Sequence, residues 1–313
     1  MWKASVLAVC VLLAAMSSAA HARQVLRIGT NVWPGYEPLY LAAQREAWRS
    51  RFNVRLVEYP SATEVLRAFR NRALEAAALT LDEVLALRGA ELPIKVVAVL
   101  DISAGGDVIL ARPALTDFRA LAGQRIGVES GALGAYVISR ALEINGMSLA
   151  DVEIVTMDVS AHENAYQNNL VDAVVTFEPV RTRLLAEGAR EVFSSNQIPG
   201  EIVDVLVVHE AVLEREGDIV RQLVKGWFRT LEYMESEPEA AARFTAQRLR
   251  ITPEEVISSY DGLYLPGAAE NVGLLSGALT PTLQRLHRVL LQQQILLEPV
   301  DYEGLIAPDW LAE

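Results

Sequence analysis

Cysteine is all but missing from this chain: there is one, Cys10, in 313 residues, and it sits in an apolar run close to the N-terminus. Everything beyond it lacks both a disulfide framework and a cysteine nucleophile, so the fold has to be held by its core. Histidine is scarce as well. His162, His209 and His287 stand alone and far apart, without the i, i+4 partner of a metal-binding helix, and no metal site is expected. A Gly-x-Ser-x-Gly elbow, a P-loop and a dinucleotide fingerprint are all absent, so no cofactor and no catalytic residue is expected either. Basic residues are outnumbered, 28 against 40 acidic, for a net charge of −12. That charge argues against nucleic acid and against an anionic membrane surface as partners. Acid pairs such as Asp101 and Asp107 are too common in such a chain to mark a catalytic dyad.

Residues 1–22 carry Lys3, an apolar run over 4–16 and small residues ending Ala20-His21-Ala22. This is the pattern of a secretory signal peptide cleaved before Arg23, and the run is shorter than the roughly 20 residues that span a bilayer. Cys10 has almost no apolar segment upstream and is a poor lipid-attachment cysteine. Removing the segment takes Lys3 with it, so the net charge goes from −12 to −13.

Apolar strand patterns and capped helices alternate beyond residue 25. Strands are expected at 25–28, 54–59, 76–79 and 94–100, with helices opened by Glu37-Pro38 and by the capping boxes Ser61-x-x-Glu64 and Thr80-x-x-Glu83. That order predicts a parallel sheet with helices on both faces. Residues 101–107 are small, polar and glycine-bearing and lead straight into the strand 108–111, as a chain does when it leaves one sheet for another. A second α/β unit follows, with strands at 125–129, 152–157 and 172–177 and helices at 131–145 and after Ser160-x-x-Glu163. The strand 201–209 reads as the return crossing. After it the chain is helical, with Ile219, Leu223, Trp227 and Leu231 in one apolar stripe and Thr252-Pro253 opening a later helix. Trp310 is expected to pack on a lobe surface. Lobe one therefore takes residues 23–103 and 207–313, and lobe two takes 104–206.

Ligands of open α/β sheets bind at the carboxyl ends of strands, which selects the candidates. Asn31, Trp33 and Tyr36 follow the first strand: the rings offer flat walls with polar tips or simply cover the sheet edge, and the amide bonds a ligand or its own loop. Thr80 caps a helix, with Asp82 beside it. Ser103, Gly105 and Asp107 mark the crossing, where glycine serves a hinge and a buried Asp107 needs a partner or a ligand donor. Ser130-Gly131-Ala132-Leu133-Gly134 joins a strand to a helix and so presents free N–H groups. Asp204 interrupts an apolar strand, either as a hinge hydrogen bond or facing the cleft.

Five segments carry a family resemblance: TNVWPGYEPLYLA at 30–42, EYPSATEVLRAFRNRALEAAALTLDE at 58–83, IGVESGALGAY at 126–136, DAVVTFEPVR at 172–181 and IPGEIVDVLVV at 198–208. Over about residues 25–310 the chain resembles the periplasmic substrate-binding proteins of ABC importers in the nitrate/sulfonate/taurine and thiamine-pyrimidine-precursor group. The resemblance implies a periplasmic-binding-protein-like (type II) α/β fold, with two lobes on a two-strand hinge. It also implies a monomeric periplasmic receptor that hands a small solute to a membrane permease and its ATPase. Ser130, Ala132 and Leu133 match the family's ligand turn, and Glu178 is implied near the ligand. Enzymes similar to this group, for pyrimidine synthesis, use a cysteine-rich motif that this chain lacks. Asp82, Asp107, Glu178 and Asp204 fall on or near cleft loops, whereas no arginine or lysine does. An amine-bearing or pyrimidine-like solute is therefore expected, with nitrate/sulfonate/taurine-type anions, or a ligand-sensing module docked on a membrane signalling protein, as alternatives.

Overall fold

A computed structural model describes residues 25–129, 131–307 and 310; the expected signal segment and Ser130 lie outside the described residues. The chain forms two sheets. Strands β1 (Leu26–Asn31), β2 (Val54–Tyr59), β3 (Ala76–Thr80) and β4 (Ile94–Ser103) build the first, and β5 (Val108–Ala111), β6 (Arg125–Val128), β7 (Glu153–Thr156), β8 (Ala173–Thr176) and β9 (Arg190–Ser194) build the second. The chain then returns to the first sheet as β10 (Val203–His209) and adds a short edge strand, β11 (Leu263–Tyr264). The orders are β11-β4-β10-β3-β1-β2 and β7-β6-β8-β5-β9. Two α/β lobes result.

The first sheet is mixed rather than parallel. β1 pairs parallel with β2 and β3, as expected, but β10 inserts between β3 and β4 and runs against both. The reason is topological: β4 carries the chain out of the lobe, so the strand that brings it back points the opposite way. β10 is buried at every position, which accounts for its near-continuous apolar sequence. In the second sheet β5 likewise runs antiparallel to β8 and β9, while β6 pairs parallel with β7 and β8. β9 and β11 carry too weak an alternation to be expected from the sequence.

Helices cover both faces. Helix Ala62–Arg70 is capped by Ser61 Oγ, which accepts from the Glu64 N–H at 3.3 Å, as its capping box predicts. Helices Leu81–Gly89 and Thr280–Gln292 pack on the same face, while Glu37–Arg45 and the long helix Glu210–Ser236 cover the other. In that long helix Ile219, Leu223, Trp227 and Leu231 are all buried, so the 3.6-residue stripe is the face that docks. Trp310 lies under the Arg221 guanidinium, 4.5 Å from the ring centroid. No described helix is long and apolar enough to cross a membrane.

Candidate ligand cleft

The register of the first sheet gathers the site. Asp204 on β10 lies opposite Thr80 at the end of β3 and opposite Asp101 near the end of β4. β1 ends beside them at Asn31, and the chain then turns through Trp33 and the 3-10 turn Pro34–Tyr36 into helix Glu37–Arg45. Four strand ends thus deliver a buried carboxylate pair and two aromatic rings to one edge of the sheet.

The rings are anchored by that pair. Trp33 Nε1 donates to Asp101 Oδ2 at 3.1 Å, and the Tyr36 hydroxyl donates to Asp204 Oδ1. Trp33 also meets Phe177 of the second lobe edge to face, 5.4 Å between centroids. Gly35 makes this arrangement possible: a Cβ there would come within 2.6 Å of Trp33 Nε1 and would run into the Asp101 carboxylate. We predict that Gly35→Ala costs about 2 kcal/mol by displacing that pair, in the range for overpacking a tight site. Urea denaturation measures it, and an unchanged midpoint would mean that Trp33 and Asp101 move aside freely.

Around the pair stand more acids than cations. Burial pushes Asp101 up to about 7, helped by repulsion from Asp107, and pushes Asp204 well above the usual carboxylate range, with Asp101 adding to it. Asp107 rises to about 7 through burial; its N–H donates to Ser103 Oγ at 3.2 Å, and its Oδ2 has no hydrogen-bond partner among the described residues. Glu83 is raised well above the ordinary range by burial and by Asp82 beside it. One of its oxygens takes the Thr80 N–H at 3.1 Å, closing the helix start, while Oε1 is left unpartnered.

Between the lobes lies a cavity of about 20 Å³. Of the expected site residues it is lined by Asn31, Trp33, Tyr36, Thr80, Asp107, Leu133 and Asp204. Glu83, Glu129, Phe177 and Ala62 complete the wall, and none of them was among the expected site residues. The remaining candidates are placed elsewhere. Asp82, next to Glu83 in the first turn of its helix, is buried away from this cavity, and burial raises it to about 6. Ser103 belongs to the crossing: its Oγ bonds Ser195 Oγ at 2.8 Å, and Ser195 Oγ also takes the Gly105 N–H at 2.7 Å. Gly105 has φ +113°, a conformation that favours glycine. Glu178 is satisfied by its own helix, accepting from Arg181 Nη1 at 3.1 Å, Thr182 Oγ1 at 3.0 Å and the Thr182 N–H at 3.0 Å. Ala132 is the first residue of helix Ala132–Ile144, and Ser130 is outside the described residues. Among the described residues no three acids, histidines or cysteines are grouped so as to hold a metal ion.

No curated protein matches the chain closely enough to count as a relative. Among solved structures it is similar to the alkanesulfonate-binding protein SsuA of Xanthomonas axonopodis pv. citri bound to MOPS, at 20% identity and TM-score 0.75, over 93% of this chain and 98% of that one. The periplasmic aliphatic sulphonate binding protein SsuA of Escherichia coli gives 17% identity and TM-score 0.73, over 93% and 99%. The desulfurization enzyme DszB gives 18% and 0.67, over 93% and 98%. At these identities the likeness is one of fold, shared by binding proteins and an enzyme alike. The sequence itself is more specific: residues 19–250 match the model of the NMT1-like family, which bears out the group suggested by the five motifs. The chain belongs to the NMT1-like family.

Proposed function

We propose that this protein is a periplasmic solute-binding receptor of an ABC-type importer, and that its solute is a small polar molecule bearing an amine or a pyrimidine-like ring. The observation that carries the reading is the make-up of the cavity wall: Glu83, Asp107, Glu129 and Asp204 converge with Trp33, Tyr36 and Phe177, and no arginine, lysine or histidine is among the described lining residues. Two of the buried oxygens there, Asp107 Oδ2 and Glu83 Oε1, lack a donor. A solute that brings N–H donors satisfies them, and the rings supply flat apolar contact. An anion finds no cation there, and only the Asn31 amide and the Thr80 hydroxyl as side-chain donors beside the acids and the rings.

The cavity holds about one water. Solute entry therefore requires the lobes to part about the two crossings, residues 104–107 and 195–202, and only the closed form makes every contact. Binding rather than catalysis fits a wall of carboxyls, rings, one amide and one hydroxyl, in a chain whose single cysteine is Cys10. The names of the two SsuA neighbours favour the second reading, an anion of the sulfonate class.

Calorimetry and thermal shift on the purified protein separate the two. With 4-aminopyrimidine and simple primary amines in one set and taurine and ethanesulfonate in the other, the first set is expected to bind saturably. A solute at 100 times its Kd stabilises by about 2.7 kcal/mol, a melting shift of several degrees. Binding of the sulfonates alone would overturn the amine reading and leave the receptor. The importer role is tested by uptake of the identified solute in a strain lacking the gene; unaltered uptake would favour a sensor docked on a membrane signalling protein.

A further inference from the structure

The cleft contains an anion of its own. Glu129 stands just beyond β6 in the second lobe, and its Oε1 accepts from the Thr63 backbone N–H and from Thr63 Oγ1, both at 3.2 Å. Thr63 lies in the first turn of helix Ala62–Arg70 of the first lobe. A helix N-terminus offers unbonded N–H groups and the positive end of its dipole, a place suited to an anion. Here Ser61 Oγ takes the Glu64 N–H and Glu129 takes the Thr63 N–H, so the donors of that turn are engaged from both sides. Glu129 is 9% exposed, and with Ala62 it lines the cavity. Behind it, a Cβ built on Gly131 would stand 3.0 Å from Thr63 Oγ1 and 3.6 Å from Glu83 Oε1. The start of the second lobe's helix Ala132–Ile144 is thus seated against the first lobe at the same point.

We propose that Glu129 is a specificity-determining residue: its carboxylate occupies the helix N-terminus that an anionic solute would use, and in doing so it latches the two lobes. This rests on the cleft being the solute site proposed above. A sulfonate entering the cavity would have to displace Glu129 from Thr63 and then sit among Glu83, Asp107 and Asp204. A solute rich in donors leaves the latch in place. Removing the carboxylate frees the N–H groups, lowers the negative charge of the cavity and loosens closure.

The test compares wild type with Glu129→Ala and the near-isosteric Glu129→Gln, using methanesulfonate as the anionic probe, 4-aminopyrimidine as the donor-bearing probe and small-angle scattering of the solute-free proteins. Glu129→Ala is expected to bind methanesulfonate at least about tenfold more tightly than wild type, the scale of one charge-assisted hydrogen bond. Its radius of gyration is expected to rise. Glu129→Gln keeps the shape and an acceptor oxygen, so it should fall between the two and carry the comparison if the alanine variant does not fold. If wild type binds 4-aminopyrimidine but neither variant gains methanesulfonate binding, the role of Glu129 is overturned and the receptor reading stands. Wild type binding methanesulfonate as tightly as the variants, with no response to 4-aminopyrimidine, overturns both.

Discussion

Between pH 6.5 and 8.5 the melting temperature of the solute-free protein should fall by roughly 3–6 °C, on the scale of 2–4 °C per kcal/mol for a chain of this size. The cause is the acid cluster of the cleft. Burial raises Asp101 and Asp107 to about 7, and Glu83 and Asp204 well above the usual carboxylate range. Unfolded, the same groups titrate near 4. A carboxyl whose folded pKa is raised holds its proton in the folded state after the unfolded chain has lost it. Its contribution is complete below about pH 4 and is lost as the pH rises through the folded value. For Asp101 and Asp107, both near 7, the loss over this window is about 0.8 kcal/mol each, and water entering the cleft reduces it.

The window starts at 6.5 for a reason. His162 is buried and pushed down to about 4, so it favours the folded state increasingly as the pH rises toward 6.5 and masks part of the loss below that point. Carboxylates held below their usual range, such as Asp172 beside Arg125, are ionised throughout this window in both states and play no part. Tyr36 and Tyr260 face the cluster and stay protonated, both raised first by burial. Calorimetry at pH 6.5, 7.5 and 8.5 measures the slope. A flat or rising melting temperature would show that the cleft acids are already hydrated and ionised in the folded state. A bound cationic solute should flatten the slope, since it replaces the protons the acids give up.

Trp33 and Tyr36 are legible in the sequence because a strand, a Pro-Gly break and a helix start bracket them, and strand ends are where α/β sheets put ligands. Asp204 is legible because a carboxylate in an otherwise apolar strand has to be answered by something. Asp101 escapes the same logic: β4 continues to Ser103, past Leu100 where its apolar run ends, so a strand residue reads as a loop residue. Glu83 satisfies a capping box and so looks fully explained, although only one of its two oxygens is used there. Glu129 looks like the end of a strand. Its partner, Thr63, is 66 residues away on the other lobe, and no local pattern encodes a contact of that span. Glu178 shows the converse: the resemblance implies it near the ligand, and nothing local to a strand end tells that its oxygens are taken by Arg181 and Thr182. The direction of β10 follows from topology, and alternation within a strand carries no record of its neighbours' directions.

Glu201 presents the largest single-residue effect outside the cleft. It lies on the second crossing, just before β10, and is 3% exposed. Its Oε2 accepts from Arg140 Nε at 2.8 Å and from the Tyr136 hydroxyl, and its Oε1 accepts from Arg140 Nη2 at 3.0 Å and Arg285 Nη1 at 2.9 Å. Burial alone would raise this carboxyl, yet Arg140, Tyr136 and Arg285 together hold it below the usual range. The knot ties helix Ala132–Ile144 of the second lobe to helix Thr280–Gln292 of the first at the crossing itself. Glu201→Gln removes the charge and leaves the Arg140 guanidinium, its side chain 13% exposed, with the more exposed Glu143 as its remaining anion. The expected cost is about 3 kcal/mol, at the low end for breaking a buried pair because Arg285 is open to water. Arg140→Gln in the same background should then cost less than it does alone, because the two residues share one network. Urea denaturation of the two single variants and the double variant measures both terms. A Glu201→Gln protein within 1 kcal/mol of wild type, or strictly additive costs, would reduce the knot to a surface ion pair.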